Sequence, residues 1–321
     1  MADPDALEGV ALARVLRQAG GAEILNTLGV QLSGADLVAL LLAAFRTRAG
    51  FLSPADVLRR YTEDRFVAPA PVDFRVQRRV EDRLLSAVPD EVELVTLAPV
   101  TPLGAHSTVA GVHQNNVLAT VRGSEVAADP TTGLALEAAV RRRDRGAGAR
   151  RGAPPVRLAA LQRVIRARRS AGADRFAHAN LFALATAGAD SGGLGFERRH
   201  SVEQLGLLCT ALRATGVQSV EVGLTLLDPA AGPVTEAVRS ALRDRPDVVL
   251  REVPEPVDGP CHHTGWCFRL AVLHDGVRVE VGDGGFVDWT RRLLGRPRER
   301  LLVSVLGVDR LSALVAEGPA G

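Results

Sequence analysis

Four segments carry side chains able to do chemistry. The first is Arg163-Val-Ile-Arg166-Ala-Arg168-Arg169, a glycine-containing loop, and then Asp174-Arg175-Phe176-Ala-His178. It reads as strand, loop, strand with arginines lining the loop. Twelve arginines fall between Arg141 and Arg175. Guanidinium forks hold phosphate oxygens in pairs. The plainer alternative is a solvated basic face, and a third is RNA binding, although little aromatic stacking surface lies nearby. The second segment runs from Arg122-Gly-Ser-Glu125 to Asp129-Pro-Thr131 and on to Arg141-Arg-Arg143. Charged groups bracket a turn from strand to helix, where Asp129 or Thr131 can cap the helix. The third is Cys261-His262-His263-Thr264-Gly265-Trp-Cys267-Phe268. Neighbours on a strand point to opposite faces, which argues against a shared metal; a histidine facing a ligand pocket and a satisfied buried histidine both stay open. The fourth combines Gly282-Asp283-Gly284-Gly285 with Val305-Leu-Gly307-Val-Asp-Arg310. Glycines let backbone approach a ligand closely. A strand ending at Gly307, with Arg310 in the first turn of the next helix, sets a guanidinium beside backbone that could hold a nucleotide.

Bulk composition narrows the chemistry. All 39 basic residues are arginine, since the 321-residue chain contains no lysine. That excludes a Schiff-base lysine and with it pyridoxal phosphate catalysis. It also excludes the GxxxxGK[ST] phosphate loop and the kinase lysine. Net charge is +2, so no global field attracts nucleic acid. Three cysteines without a CxxC pair point to a reducing compartment. The N-terminus lacks the basic and apolar regions of a signal peptide, and no apolar run is long enough for a membrane span. The expectation is a cytoplasmic protein.

The elements that must position these residues follow from periodicity. Apolar residues recur at helical spacing through residues 6–62, with Ser33 and Ser53-Pro54 as helix starts. This predicts a helical N-terminal unit over residues 1–66 and a core over 67–321 that opens on the proline-rich run 67–72. In the core, a helix is expected over 73–88 and strands over 91–97 and 109–121. A helix then follows over 134–143. Further strands are expected over 182–187, 217–227, 248–253, 266–273, 277–281 and 301–306. A helix over 202–215 and another from Asp309 complete the pattern. His274-Asp-Gly276 is hairpin chemistry. No regular βαβ alternation is present, so the fold class is α+β: an antiparallel sheet flanked by helices.

Taken in order, these segments resemble the core of a class II aminoacyl-tRNA synthetase of the histidyl type. Arg166, the loop and Arg175-Phe176 are similar to the family's second motif. Asp129–Arg143 stands where the family has its LRPEgT turn and following helix. His262-His-Thr-Gly265 with Phe268 resembles the YYTG-F element, Asp283–Asp288 the GGGRYD element, and Val305–Arg310 the GxGxER motif. The chain departs from the pattern at Arg168 (an acid in the family), Phe286 (arginine), Val305 (glycine) and His262-His263 (tyrosines). Histidyl synthetases continue past the position of Arg310 into an anticodon-binding domain; none is expected here, and neither is ordinary tRNA charging.

The resemblance implies ATP and Mg²⁺ as cofactors and a small acid, an amino acid above all, as substrate. Arg166 would meet the α-phosphate, with Arg175 and Arg310 on the outer phosphates. His178, Glu197 and Gly307 would complete the nucleotide site, Glu197 or Asp283 holding Mg²⁺. Arg122, Glu125, His262, His263, Thr264, Gly265, Asp283, Gly284 and Gly285 would form the acid site, Glu125 or Asp283 receiving an ammonium group. It further implies a homodimer. Two functions stay open: an adenylate-forming ligase with a non-tRNA acceptor or carrier, and a non-catalytic paralogue resembling the ATP phosphoribosyltransferase regulatory subunit, which would bind an amino acid or nucleotide and regulate a partner enzyme.

Overall fold

Capping chemistry sets the first helices. In the computed structural model, which describes residues 4–145, 154–167, 177–254 and 262–316, the N-terminal segment forms α1 (Pro4–Gln18), α2 (Glu23–Asn26), α3 (Gly34–Gly50) and α4 (Pro54–Glu63). Ser33 Oγ accepts the Asp36 N–H at 3.1 Å and starts α3. Ser53 and Asp56 exchange backbone and side-chain bonds at the start of α4, a capping box. No residue of α2, α3 or α4 is buried. Residues 1–63 together with 119–124 form one compact unit, and 64–118 with 125–321 form a second.

The second unit holds an eight-stranded sheet. Its strands are β1 (Glu93–Leu94), β4 (Val156–Ile165), β5 (His178–Ala189), β6 (Ser219–Leu226), β7 (Val248–Glu252), β8 (Trp266–His274), β9 (Val277–Val287) and β10 (Glu299–Gly307). Their order is β1-β4-β5-β10-β9-β8-β6-β7, and short β2 (Val100–Pro102) and β3 (Ser124–Val126) pair separately. Neighbours run antiparallel except the outermost pairs, β1 with β4 and β6 with β7. The helices are α5 (Phe74–Ser86), α6 (Pro130–Asp144), α7 (Gly195–Ala214), α8 (Gly232–Leu242), α9 (Trp289–Leu294) and α10 (Val308–Ala316). The fold is therefore α+β, a mostly antiparallel sheet flanked by helices.

The central strands are apolar on both faces because helices cover both. On one face Leu158, Ala160, Ala183, Ala185, Val303 and Val305 pack with Leu134 and Ala135 of α6 and Trp289 of α9. On the other, Phe182, Leu184, Leu302 and Leu306 pack with Leu84 of α5, Leu205 and Leu208 of α7 and Leu311 of α10. Each fully buried Leu or Phe contributes about 1.5–3 kcal/mol. The face carrying α6 also carries the candidate site.

Three expectations are corrected. In place of a strand over 109–121, the chain makes a π-helical turn over Ala105–Val109 and a 3₁₀ turn over Gln114–Asn116. A polar side chain takes a backbone donor away from a ladder here: His113 Nδ1 accepts the Asn115 N–H at the start of the 3₁₀ turn. The strand over 91–97 shrinks to the two residues of β1. The glycine run 282–285, expected after a strand, lies inside β9. The β8–β9 hairpin forms as its turn chemistry predicts, with Asp275 at φ 48° and Gly276 at φ 78°.

Candidate functional site

The site begins where β4 ends. The Arg166 N–H donates to the Ala177 carbonyl at 2.7 Å, which carries the β4–β5 ladder one step further. The Arg166 guanidinium then reaches Asp129 Oδ2 at 3.0 Å. Asp129 is the N-cap of α6. Its Oδ1 accepts from the N–H and hydroxyl of Thr131 at 2.9 and 2.7 Å, leaving Oδ2 for the arginine. Half of this carboxylate therefore starts a helix and half faces the site.

Asp283 stands across from Arg166 on the same face of the sheet, in register with Val305 of β10 and Arg269 of β8. It keeps an open path to solvent while protein closely surrounds its other sides. Desolvation, and after it the negative charge of Asp129, raises its carboxyl above the usual range; His262 and Arg166 oppose the shift. Asp129, Arg166, Asp283 and His262 thus share one electrostatic neighbourhood. The exposed His262 ring stacks on Trp289 at 5.7 Å and leans on His263 at 4.2 Å. His263 sits over Gly285, its ring atoms 2.8 Å from where a Cβ would be. Burial, then the neighbouring His262, pushes His263 down to about 3, so it is neutral at ordinary pH. Gly265, at φ 74°, turns the chain so that its carbonyl accepts the Leu227 and Asp228 N–H groups. Thr264 N–H donates to Phe286.

Arg310 approaches the same face. Gly307 continues the alternation of Leu301, Val303 and Val305, and a Cβ on it would lie 3.6 Å from Arg310 Cδ. The Arg310 stem therefore crosses the patch that Gly307 leaves bare, and its Nη1 donates to the Glu280 carbonyl at 3.2 Å. Only β5 separates β4 from β10, so Arg166 and Arg310 leave the sheet at one end from strands about 10 Å apart.

Other expected site residues lie elsewhere. Glu125 is fully buried and accepts from Gly104 N–H, His106 N–H, His106 Nδ1 and Gln114 Nε2, so it has no oxygen for a ligand ammonium. His178 falls on the opposite face. Its Nδ1 accepts from Arg163 at 3.0 Å and its Nε2 donates to the Ala68 carbonyl, while Arg163 is also paired with Asp309. Glu197, in the first turn of α7, accepts from Arg300 at 2.9 Å near the start of β10, the end of that strand remote from Gly307. Gly284 is required by packing: a Cβ there would lie 2.5 Å from Phe268 Cζ and 2.6 Å from the Val303 carbonyl. Gly285 is covered by His263 and Cys267. Arg122 belongs to the 119–124 segment of the helical unit and is exposed, its N–H held by Thr120. Arg175, with Arg168 and Cys261, lies outside the described residues. Sequence reasoning assigned Asp129 only a capping role. Its second oxygen is the feature that role left unused.

A cavity of about 490 Å³ opens beside α8, lined by Leu224, Thr235, Arg239, Glu252 and Val253 among others. It belongs to the other face, and Arg239 there is paired with Glu236 and Glu252. Among the described residues, no group of three or more His, Cys, Asp or Glu is arranged to hold a metal ion. No described helix is long and apolar enough to cross a membrane.

No protein-family model matches the sequence, and no curated protein matches it. Solved structures do match the fold. Histidyl-tRNA synthetase of S. aureus superimposes with a TM-score of 0.56 at 16% identity, over 76% of this chain and 66% of that one. An ATP phosphoribosyltransferase regulatory subunit/histidyl-tRNA synthetase from Bacillus halodurans C gives 0.57 at 14% identity, over 79% and 84%. Histidyl-tRNA synthetase from Nostoc sp. PCC 7120 gives 0.57 at 12%, over 84% and 77%. The chain thus spans just under two thirds of the S. aureus enzyme. The shared fold is class II synthetase-like.

Proposed function

We propose that this chain binds a small amino acid in the Asp129–Arg166–Asp283 cleft and, with ATP, activates its carboxyl group as an adenylate for a non-tRNA acceptor. One observation carries the reading. The carboxylates of Asp129 and Asp283 and the guanidinium of Arg166 share one electrostatic neighbourhood on one face of the sheet, and the Arg310 stem crosses Gly307 on the same face. An ammonium group would sit between Asp129 and Asp283, where its charge would offset the desolvation and the Asp129 repulsion that raise the Asp283 carboxyl. The ligand carboxylate would then lie toward Arg166.

The donor set fits a nucleotide. ATP would supply the adenylyl group, with Arg166 released from Asp129 toward the α-phosphoryl oxygens and Arg310 toward the outer ones. Mg²⁺ accompanying the nucleotide would be held in part by Asp283 and would supply further positive charge to the phosphates. The arginines' contribution is electrostatic: fixed positive charge where negative charge develops. A homodimer is part of the proposal, as in the class II fold generally.

The test is amino-acid-dependent ATP–pyrophosphate exchange over the twenty proteinogenic amino acids, with calorimetry beside it. Exchange with one of them supports the reading; neither exchange nor binding across the panel refutes it. A second reading, a paralogue that binds an amino acid and regulates a partner enzyme, is favoured by Val305, whose side chain stands beside Asp283 where the family pattern has glycine. Binding without exchange, together with a co-purifying enzyme whose rate the protein changes, would select it.

A further inference from the structure

The buried carboxylate that turned out not to face the cleft has a different task. We infer that His106 and Glu125 are positioning residues for Asp129: the Glu125 carboxylate holds the His106 ring in its Nδ1–H tautomer, so that the Nε2 lone pair accepts the backbone N–H of Ala128, the residue before Asp129. This rests on the reading of the Asp129–Arg166–Asp283 cleft as an amino-acid site.

The geometry fixes the tautomer from both sides. Ala128 offers only a donor, and its nitrogen lies 2.9 Å from His106 Nε2, so that nitrogen carries no proton. The proton is therefore on Nδ1, which lies 2.7 Å from Glu125 Oε1. A bare Nδ1 would oppose its lone pair to a carboxylate. Glu125 cannot turn away, because Gly104 N–H at 2.9 Å, His106 N–H at 2.8 Å and Gln114 Nε2 at 2.8 Å hold both its oxygens. Gln114 is itself fixed by Ser107 at 2.7 Å. Both His106 and Glu125 are fully buried.

The same strap holds both partners of the exposed ion pair. The Ile165 N–H, one residue before Arg166, donates to the Ala127 carbonyl at 2.9 Å. The Ala128 N–H, one residue before Asp129, donates to His106. Ala127 N–H is tied to Pro99 and Val126 N–H to Leu118. Each member of the Asp129–Arg166 pair is thus anchored through its preceding residue, and His106 is the only side chain among those anchors. A surface ion pair alone is weak. Its orientation must come from the backbone beneath it.

The test uses the full ¹⁵N-labelled chain. Imidazole ¹⁵N shifts should show His106 neutral with the proton on Nδ1, and a coupling across the hydrogen bond should link Ala128 N to His106 Nε2. A protonated Nε2, or no such coupling, overturns the inference whether or not any ligand binds. In the ligand-free protein, Glu125→Gln lets an amide N–H face the ring and favours the wrong tautomer. It should shift the Asp129 and Thr131 amide resonances. Unmoved resonances in a protein with native circular dichroism overturn the inference. For the amino acid that binds in the twenty-member panel, Glu125→Gln should weaken Kd by about tenfold or more. His106→Gln, which keeps one acceptor for Ala128 and one donor for Glu125, should retain most of the affinity. An unchanged Kd in Glu125→Gln also overturns it. If no amino acid binds the wild type, the cleft reading fails, and the tautomer and amide shifts still decide this one.

Discussion

Lowering the pH should destabilise the protein through Glu125 in particular. Desolvation of this buried carboxyl raises its pKa, but hydrogen bonds from His106, Gln114 and Gly104 outweigh that and hold it at about 2, against 4.5 for a free glutamate. A carboxyl depressed in the folded state contributes stability above its unfolded pKa and loses it as pH falls toward the folded value. With these two values the linkage is worth about 3 kcal/mol at neutral pH, and about 2 kcal/mol of it is gone by pH 3. Other carboxylates titrate in the same range, Glu203 among them, so the signal is a difference. Urea unfolding of wild type and Glu125→Gln should be run from pH 7 to pH 3. The wild type should be more stable at pH 7, and the gap should narrow by about 2 kcal/mol by pH 3. Parallel pH profiles would refute the claim that four donors hold an ionised carboxylate in that interior.

Three further outcomes test the fold around the site. Arg142 of α6 and Glu299 of β10 form a buried two-pronged pair at 2.9 and 2.8 Å. Arg142→Met should cost about 3–5 kcal/mol in urea unfolding by stranding the carboxylate, and adding Glu299→Leu should recover much of it. Gly284→Ala must displace Phe268 or the Val303 carbonyl and should lower Tm as an overpacking change of about 1–3 kcal/mol would; an unchanged Tm would contradict the β9–β10 register. Burial pushes the Cys209 thiol up to about 12, so iodoacetamide at pH 8 should leave it unlabelled in the native protein and label it in urea.

What could be read from the residues, and what could not, divides by a physical rule. The link from Gly307 to Arg310 was legible, because a strand's end and a helix's first turn are local features. The β8–β9 hairpin was legible from its His274-Asp-Gly276 turn. The face on which a side chain falls was not. Arg166 and His178 flank one hairpin and carry similar chemistry, yet Arg166 reaches Asp129 while His178 turns to Ala68 and Arg163 on the other side. In a strand one residue of register exchanges the faces. Glu197 shows the same limit for helices: α7 begins seven residues earlier than its apolar period suggests and carries the carboxylate to Arg300.

Glu125 and Asp129 make the sharpest case. They are four residues apart, both acidic, both beside one turn, and nothing local distinguishes a ligand carboxylate from a buried one. The difference is set by His106, nineteen residues upstream of Glu125, and by Arg166, thirty-seven residues downstream of Asp129. A carboxylate whose four acceptor sites are filled by protein donors cannot serve a ligand. One that spends a single oxygen on a helix cap can. Satisfied valence, more than residue type, therefore separates the buried carboxylate of Glu125, filled by the protein's own donors, from that of Asp129, and only the assembled sheet determines which is which.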